Sequence, residues 1–447
     1  METPNTSSTQ PATPDTSSRV HSGSSTPRSD IEFPFPFVPA EANIPNDEYI
    51  LVTGGLGYIG SHTTLELLKA GYNVVLIDNL SNSYICVLDR IRLLVQQHYS
   101  NHSEEMHVPI LEFHQIDYGD VGAVRGVLDQ YQIANRKPWV GSDGPKYSKI
   151  IGVIHFAAYK SPAESIRMPL PYYSNNLASF VGLLETLGDY GIKTFVFSSS
   201  ATVYGAMMNE SNEPIKEEHC VHEDELFTDG DGRIKLTQQG CRGLTSPYGR
   251  TKWMCEAILS DLSISDPDWT VVALRYFNPV GCDPSGLLGE DPLGLPNNLM
   301  PVVCKVLRGE LPVLKIYGTD YNTNDGTGVR DFIHVTDLAK GHLAAIAAAT
   351  TNGLYTRFRS FNLGSGLGHS VLELVDAMEQ VSTREIKLQL TDRRSGDVAI
   401  SIAQPTRAEK ELNWRTQRSL LDSCRDSWNF LTRNPLGYRN SESELAS

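Results

Sequence analysis

The sequence has no apolar run approaching the ~20 residues needed to span a bilayer, no Cys-x-x-Cys pair, no apolar stretch near Met1 and no excess of positive charge. The first absence excludes a transmembrane helix. The third speaks against a secretory signal, and an Arg-rich presequence is disfavoured by Glu2, Asp15 and Asp30. With 38 Lys and Arg against 53 Asp and Glu, the net charge of -15 has the wrong sign for broad attachment to nucleic acid or to an anionic membrane. An anionic small ligand stays possible, because a few arginines and helix N-termini hold a phosphate locally. The seven cysteines (Cys86, Cys220, Cys241, Cys255, Cys282, Cys304, Cys424) are scattered and odd in number, which argues for reduced core thiols in a cytoplasmic protein with no metal site.

What is present is a globular chain. Its 447 residues, 40% hydrophobic and 20% charged, suit a soluble protein with two structural units or one large core carrying a lobe. Residues 1–46 are rich in Ser, Thr and Pro and cannot bury enough surface to offset ordering, so a disordered tail is expected. Thr13-Pro14 and Thr26-Pro27 are its candidate phosphorylation sites, and Ile31 to Val38 is its one segment apolar enough to dock.

From Glu48, short apolar runs alternate with helical stretches: YILVT, NVVLID, IIGVIHFAA, KTFVFSSS and WTVVALRYF. Such strands, apolar on both faces, predict an α/β fold of Rossmann type, a doubly wound parallel sheet. A cofactor domain is expected over 47–275, a smaller substrate lobe partly interleaved with the sheet over 276–438, and a flexible end over 439–447. Arg136 to Lys149 and Glu210 to Leu244 read as insertions outside the sheet. The second is expected to be a surface excursion rather than a lid.

After YILVT comes TGGLGYIG, with Gly54, Gly57 and Gly60 at a strand-to-helix turn, and Asp78 ends the next strand. The glycines permit a tight turn, close approach to a pyrophosphate and packing of the helix, whose N-terminus carries partial positive charge. A carboxylate about 20 residues further on accepts ribose hydroxyls and repels a 2′-phosphate. NAD is therefore favoured over NADP. The G-x-x-G-x-x-G spacing resembles the short-chain dehydrogenase/reductase superfamily.

In SPYGRTK, Tyr248 stands four residues before Lys252, a spacing that puts both on one helical face. An ammonium beside a phenol is expected to lower the Tyr pKa and make it a general base. FVFSSSATVYG carries Ser198, Ser199 and Ser200 at a strand end. Ser198 and Ser199 are expected to cap the following turn, and Ser200 to bond a substrate hydroxyl with Tyr248.

TGGLGYIGSHT, DNLSNS, FSSSATVYG, SPYGRTK, RYFNPVG, NNLMP and DGTGVRDFIHV, in that order, together resemble the UDP-glucose 4-epimerase family over nearly all of Tyr49 to Tyr438. The resemblance implies a redox-neutral reaction on a UDP-sugar through a 4-keto sugar, NAD kept bound, and a homodimer through the helices near Leu177 to Tyr190 and Lys252 to Leu262. It implies cofactor contacts at Tyr58, Ile59, Asn79, Phe156, Ala157, Ser198 and Tyr276 besides the glycines, with Asp117 and Tyr118 bracketing adenine and Lys160 and Asn176 also reaching the cofactor. For the substrate it implies Ser200, Ala201, Thr202, Asn278, Asn298, Leu299, Arg330, Arg394 and Asp397, with Ser401 limiting the sugar pocket. Arginines at 330 and 394 suit this role independently, since guanidinium donates bidentately to phosphate. Ending shortly after NPLGYRN, the chain is expected to lack the mutarotase domain of some fungal relatives.

Three departures from the family pattern matter. YKSPAES replaces a sequence close to LKAVGES, although Ser161 to Glu164 reads as a capping box with Pro at the first helical position. The stretch before SPYGRTK is longer. Ser401 is small where some members have Tyr, which leaves room for an N-acetyl group. A sugar-nucleotide dehydratase shares the fold but needs an acid and a base where this chain has Ser200-Ala201-Thr202. A non-catalytic NAD-binding scaffold has no need of Tyr248, Lys252 and Ser200 together.

Overall fold

The computed structural model describes residues 47–101, 107–133, 147–205, 213–228, 232–294, 296, 298–351, 353–394 and 397–440. The tail expected over 1–46, the last seven residues and most of the first insertion lie outside that range.

Seven strands, β1 (Tyr49–Thr53), β2 (Asn73–Asp78), β3 (Leu111–Gln115), β4 (Ile150–His155), β5 (Thr194–Ser198), β6 (Thr270–Tyr276) and β7 (Phe358–Leu363), form one sheet in the order β7-β6-β5-β4-β1-β2-β3. Every pairing in it is parallel. This is the doubly wound sheet expected from the apolar runs. Among the described residues nine helices have eight or more residues: α1 (Tyr58–Lys69), α2 (Cys86–Ser100), α3 (Val121–Leu128), α4 (Ser179–Asp189), α5 (Pro247–Ser265), α6 (Leu299–Leu307), α7 (Val335–Thr350), α8 (Val371–Ser382) and α9 (Leu420–Arg433).

One face of the sheet buries Leu51, Val75, Val153, Phe195 and Val271 beneath Val124 and Leu128 of α3, Phe180, Leu183 and Leu187 of α4, and Leu259 of α5. Each fully buried side chain of this kind contributes about 1.5–3 kcal/mol. On the other face α7 comes close enough that a Cβ at Gly152 would stand 2.8 Å from Ile346. α1 ends where Gly71 takes φ +89°. There the Gly71 N–H donates to Leu68 O and the Tyr72 N–H to Leu67 O, a glycine cap that satisfies the last carbonyls.

The register aligns Thr53 with Ile77 and His155, and Ser198 with Leu274. The carboxyl ends of β1, β2, β4, β5 and β6 thus share one edge. The chain winds outward from β1 to β3, then crosses to β4 on the other side of β1, and the crevice at such a switch point is where ligands bind.

Beyond β6 a second apolar cluster joins Met300 and Val303 of α6, Leu374 and Met378 of α8, Cys424 of α9, and Val280, Leu314, Ile316 and Phe332. The segment Leu314–Tyr317 pairs with Leu388–Thr391, and Val329–Arg330 lies between His369–Ser370 and Ile400–Ser401. α7 and β7, from the same half of the chain, return to the main sheet. The longer stretch before α5 contains an antiparallel hairpin, Glu225–Thr228 with Ile234–Thr237, outside the main sheet. Among the described residues no helix is long and apolar enough to cross a membrane, and no group of three or more His, Cys, Asp or Glu could hold a metal. Five of the seven cysteines are buried and none of the seven is in a disulfide.

Candidate active site

The turn after β1 is shaped by missing side chains. Gly54 sits at φ +69°, and a Cβ there would meet Ala157 N at 2.8 Å. A Cβ at Gly60 would meet Gly55 Cα at 2.8 Å, and one at Gly57 would meet Gly54 O at 3.3 Å. α1 starts at Tyr58 and Ile59 with no acidic residue in its first turn and no side chain capping it. Its first N–H groups face this cradle without a competing carboxylate, which fits a dinucleotide pyrophosphate.

Asp78 is 7% exposed. Its Oδ2 accepts from Leu56 N at 3.0 Å, and its Oδ1 from Leu80 N at 2.9 Å and Ser83 Oγ at 2.8 Å. A carboxylate has about four acceptor positions. Three are engaged, so Asp78 ties the glycine turn to the loop after β2 and keeps about one position for a ribose hydroxyl. Leu80, next to it, is held at φ +58°, which fixes the direction of that loop. Asn79 donates to Asp117 Oδ2 at 2.8 Å, leaving the exposed Asp117 at the rim. Tyr118 turns inward: it is 5% exposed, bonds Asn175 O and packs edge-on against His155. Only its backbone can border an adenine.

Phe156 packs against His342 with ring centroids 4.7 Å apart. Lys160 forms an ion pair with Glu290 at 3.3 Å, where the family resemblance implies a cofactor contact. The helix Pro162–Arg167 begins as expected, with Ser161 accepting from Glu164 N at 3.2 Å. The capping box closes differently. The Tyr172 hydroxyl accepts from Ser161 N and donates to Glu164, taking the place of the direct return bond. Asn176 is buried, with its amide spent on Tyr159 O and Thr251 Oγ1 and its carbonyl on Tyr159 N. It fixes the loop after β4 against α5.

α5 is capped by Ser246, whose Oγ accepts from Gly249 N at 3.1 Å, with Pro247 in the first turn. This starts the helix one residue before Tyr248. Tyr248 and Lys252 are 9% and 4% exposed. The Lys252 ammonium donates to Ser198 O and lies 4.7 Å over the Phe197 ring. Burial pushes the Tyr248 phenol up to about 12, and the Ser200 hydroxyl bonded to it pulls it back in part. Burial also takes Lys252 down to about 8, against the neighbouring Cys255 and Glu256. The expectation that Lys252 by itself lowers the Tyr248 pKa is therefore corrected. In the protein alone the ammonium is spent on a carbonyl, and desolvation outweighs the help the phenol receives.

The serine turn divides its labour in a way the sequence does not reveal. The cap of the turn Ala201–Tyr204 is Ser200, whose Oγ accepts from Thr202 N at 3.2 Å and from Thr202 Oγ1 at 3.1 Å. Ser198 Oγ accepts from Tyr276 and Ser199 donates to Glu256. The capping role expected of Ser198 and Ser199 belongs to Ser200, which also bonds Tyr248.

In the lobe, Asn278 donates through both its backbone and side chain to Asp331 O. Asn298 stands at the N-terminus of α6, before Leu299, and donates to Glu290 at 3.0 Å. No acidic residue lies in the first turn of α6. Arg330 donates to Val329 O and Ala399 O. Arg394 pairs with Asp397 at 2.9 Å and lies 4.5 Å over the Tyr317 ring. Ser401 is 6% exposed and in register with Arg330.

Two family models match. NAD dependent epimerase/dehydratase matches residues 145–364, and GDP-mannose 4,6 dehydratase matches residues 51–135. The latter covers the glycine turn and β1 to β3 but not the serine turn, Tyr248 or Lys252, so it reports the shared cofactor half. UDP-glucose 4-epimerase of Dictyostelium discoideum is 43% identical over 400 residues, covering 89% of this chain and 99% of that protein. The enzyme of Bacillus subtilis is 43% identical over 393 residues, 88% of this chain and 99% of its own length. The chain belongs to the UDP-glucose 4-epimerase family.

With membership come NAD as cofactor and epimerisation of a UDP-hexose at C4 as the reaction. The crystal structure of UDP-glucose 4-epimerase from Bifidobacterium longum in complex with NAD+ and UDP superposes with a TM-score of 0.70 at 39% identity, over 87% of this chain and 99% of that one. Against this family background, the residues that sequence reasoning passed over are those working behind others. Tyr317 supports the Arg394 guanidinium, Glu290 collects Lys160 and Asn298, and Glu256 accepts Ser199. One signal was available for Glu256: a carboxylate one helical turn beyond Lys252, among residues that otherwise read as core.

Proposed function

We propose that this chain interconverts UDP-glucose and UDP-galactose in the cytoplasm, in galactose metabolism, with Tyr248 as the group that takes and returns the O4 proton. The observation that carries the assignment is the joint placement of Tyr248, Lys252 and Ser200 at the carboxyl edge of the sheet, with the Ser200 hydroxyl beside the phenol and Lys252 held by Ser198 O. NAD, bound at the glycine cradle, supplies reversible hydride transfer and a positive charge. That charge supplies what Lys252 does not supply alone, a field that favours the phenolate of Tyr248. Ser200 orients the sugar hydroxyl toward Tyr248. Inversion requires the sugar to present both faces to one site, so the binding energy belongs on the UDP and not on the hexose. Asn278, the N-terminus of α6 at Asn298 and Leu299, Arg330, Arg394 and Asp397 are the groups assigned to the UDP.

Ser401 is the residue for sugar size. Its small side chain beside Arg330 leaves space for a 2-acetamido group, so turnover of UDP-N-acetylgalactosamine is included in the proposal, below that of UDP-galactose. The purified protein, given each sugar nucleotide in turn without added NAD, should convert both. No conversion of either until NAD is supplied would refute the retained cofactor, and conversion of UDP-galactose alone would refute the role of Ser401. The active species is proposed to be a homodimer through α4 and α5.

A further inference from the structure

Directly behind the serine turn lies a buried polar group that the reaction does not use. Glu256 is fully buried and one helical turn beyond Lys252 on α5. Its carboxylate accepts from Ser199 Oγ, from Arg275 Nε at 3.0 Å and Nη2 at 2.6 Å, and from His222 Nε2 at 2.8 Å. Burial pushes this carboxyl up, and Arg275 and His222 more than reverse it, so it stays ionised. Arg275 continues the chain of bonds to the Tyr204 hydroxyl at 3.1 Å and to Glu217 O at 3.3 Å. Tyr204 donates to Asn362 Oδ1, and Asn362 N donates to Glu217 Oε1 at 2.8 Å.

Two facts make this more than a satisfied core cluster. Ser199 is fully buried between the residue whose carbonyl holds Lys252 and the residue whose hydroxyl bonds Tyr248, so its direction sets both neighbours. Glu217 and His222 both come from the long stretch between the serine turn and α5. The far end of that stretch closes on the same turn: Gly205, at φ +53°, has no room for a Cβ because Gly243 C would stand 2.9 Å away.

We propose that Ser199, Glu256 and His222 are positioning residues for the epimerase reaction, through which the longer stretch before α5, at Glu217, His222 and Gly243, holds the serine turn in register with Tyr248 and Lys252. The inference rests on the assignment of Tyr248, Lys252 and Ser200 as the reacting groups. The stretch is then a brace whose base is buried, while Leu226, Ile234 and Leu236 of its hairpin are exposed. The side chains of all three are buried behind the turn; they act through the backbone of the turn and the axis of α5.

Removing Glu256 or Arg275 leaves the other as an unpaired buried charge and reports on folding, so the test uses the two ends of the relay. Ser199→Ala and His222→Ala are assayed with UDP-galactose, with kcat, KM and retained NAD measured beside Tyr248→Phe. The expectation for Ser199→Ala is a fall in kcat of about tenfold, the order of one lost hydrogen bond, with KM within about twofold and NAD retained. His222→Ala should lower kcat several-fold, and His222→Gln, which can still donate to Glu256, should restore most of it. Unchanged kcat in both alanine variants overturns the relay, as does a parallel loss of kcat, NAD and thermal stability that His222→Gln does not rescue. If Tyr248→Phe keeps wild-type turnover, the underlying assignment fails instead, and the two failures are separable.

Discussion

At the serine turn Tyr248, Lys252 and Ser200 are between 4% and 9% exposed, with Lys252 held by Ser198 O and Ser200 by Thr202. In the lobe, Arg394 leaves 52% of its side chain in solvent and pairs with Asp397, Arg330 spends donors on the carbonyls of Val329 and Ala399, and Asn298 rests on Glu290. The reacting groups are set in advance by buried bonds, while the groups assigned to the UDP hold partners on their own chain that a diphosphate can replace. A reaction that must let a sugar turn over needs this division. Precision belongs at the proton, and exchangeable grip belongs at the nucleotide.

The strongest way to break the comparison is at its rigid end. Tyr248→Phe removes the proton acceptor and leaves the ring, so kcat should fall by about 10²–10⁴-fold while NAD stays bound, measured by turnover and by cofactor released on denaturation. Retained turnover would mean that another group moves the proton. The ionisation can be followed as well. Without cofactor the phenol is held up at about 12, above its ordinary value, so it is neutral at pH 8. A bound positive charge shifts it downward, so tyrosinate absorbance at that pH should be absent from NAD-stripped protein, appear on adding NAD+, and be missing in Tyr248→Phe.

At the exchangeable end the expected effect is smaller and of a different kind. Arg394→Ala removes a half-exposed guanidinium that is presented by Tyr317 and paired with the partly buried Asp397. An exposed ion pair contributes at most about 1 kcal/mol, so stability should hardly change. A charged bond to diphosphate is worth about 1.5–3 kcal/mol, so KM for the UDP-sugar should rise roughly tenfold to a hundredfold with kcat within a few-fold. Equal loss in kcat would place Arg394 at the rigid end and dissolve the distinction.

The same contrast explains what was legible in the sequence. The glycine turn, the parallel strands and the Tyr248 to Lys252 spacing were readable because each is a local rule: a turn that needs φ > 0 at Gly54, strands apolar on both faces, two side chains one helical turn apart. The work of Ser198, Ser199 and Ser200 was not, because three identical side chains in a row are distinguished only by what reaches them from β6, α5 and the chain itself. The protonation of Tyr248 was misread for the same reason. Adjacency to Lys252 is visible in sequence, whereas the desolvation that opposes it depends on residues far away. Asp78 and Tyr118 lie between these cases: their places just after the strands were readable, whereas their engagement by the protein itself was not.

The smallest effect is expected on the hairpin of the insertion, and it separates the two halves of that segment. Leu226 and Leu236 face each other across the strands at 68% and 55% exposure, so Leu226→Thr removes little buried surface and puts a β-branched residue into a strand. Stability should change by no more than about 0.5 kcal/mol and kcat not at all, measured by denaturant unfolding and turnover. At the start of the same strand Glu225 accepts from Arg359 at 2.8 Å and from Arg407 at 3.1 Å, and four residues before Leu226 His222 reaches Glu256. A loss of turnover in Leu226→Thr comparable to that in His222→Ala would mean that the hairpin, and not only its buried base, bears on the serine turn.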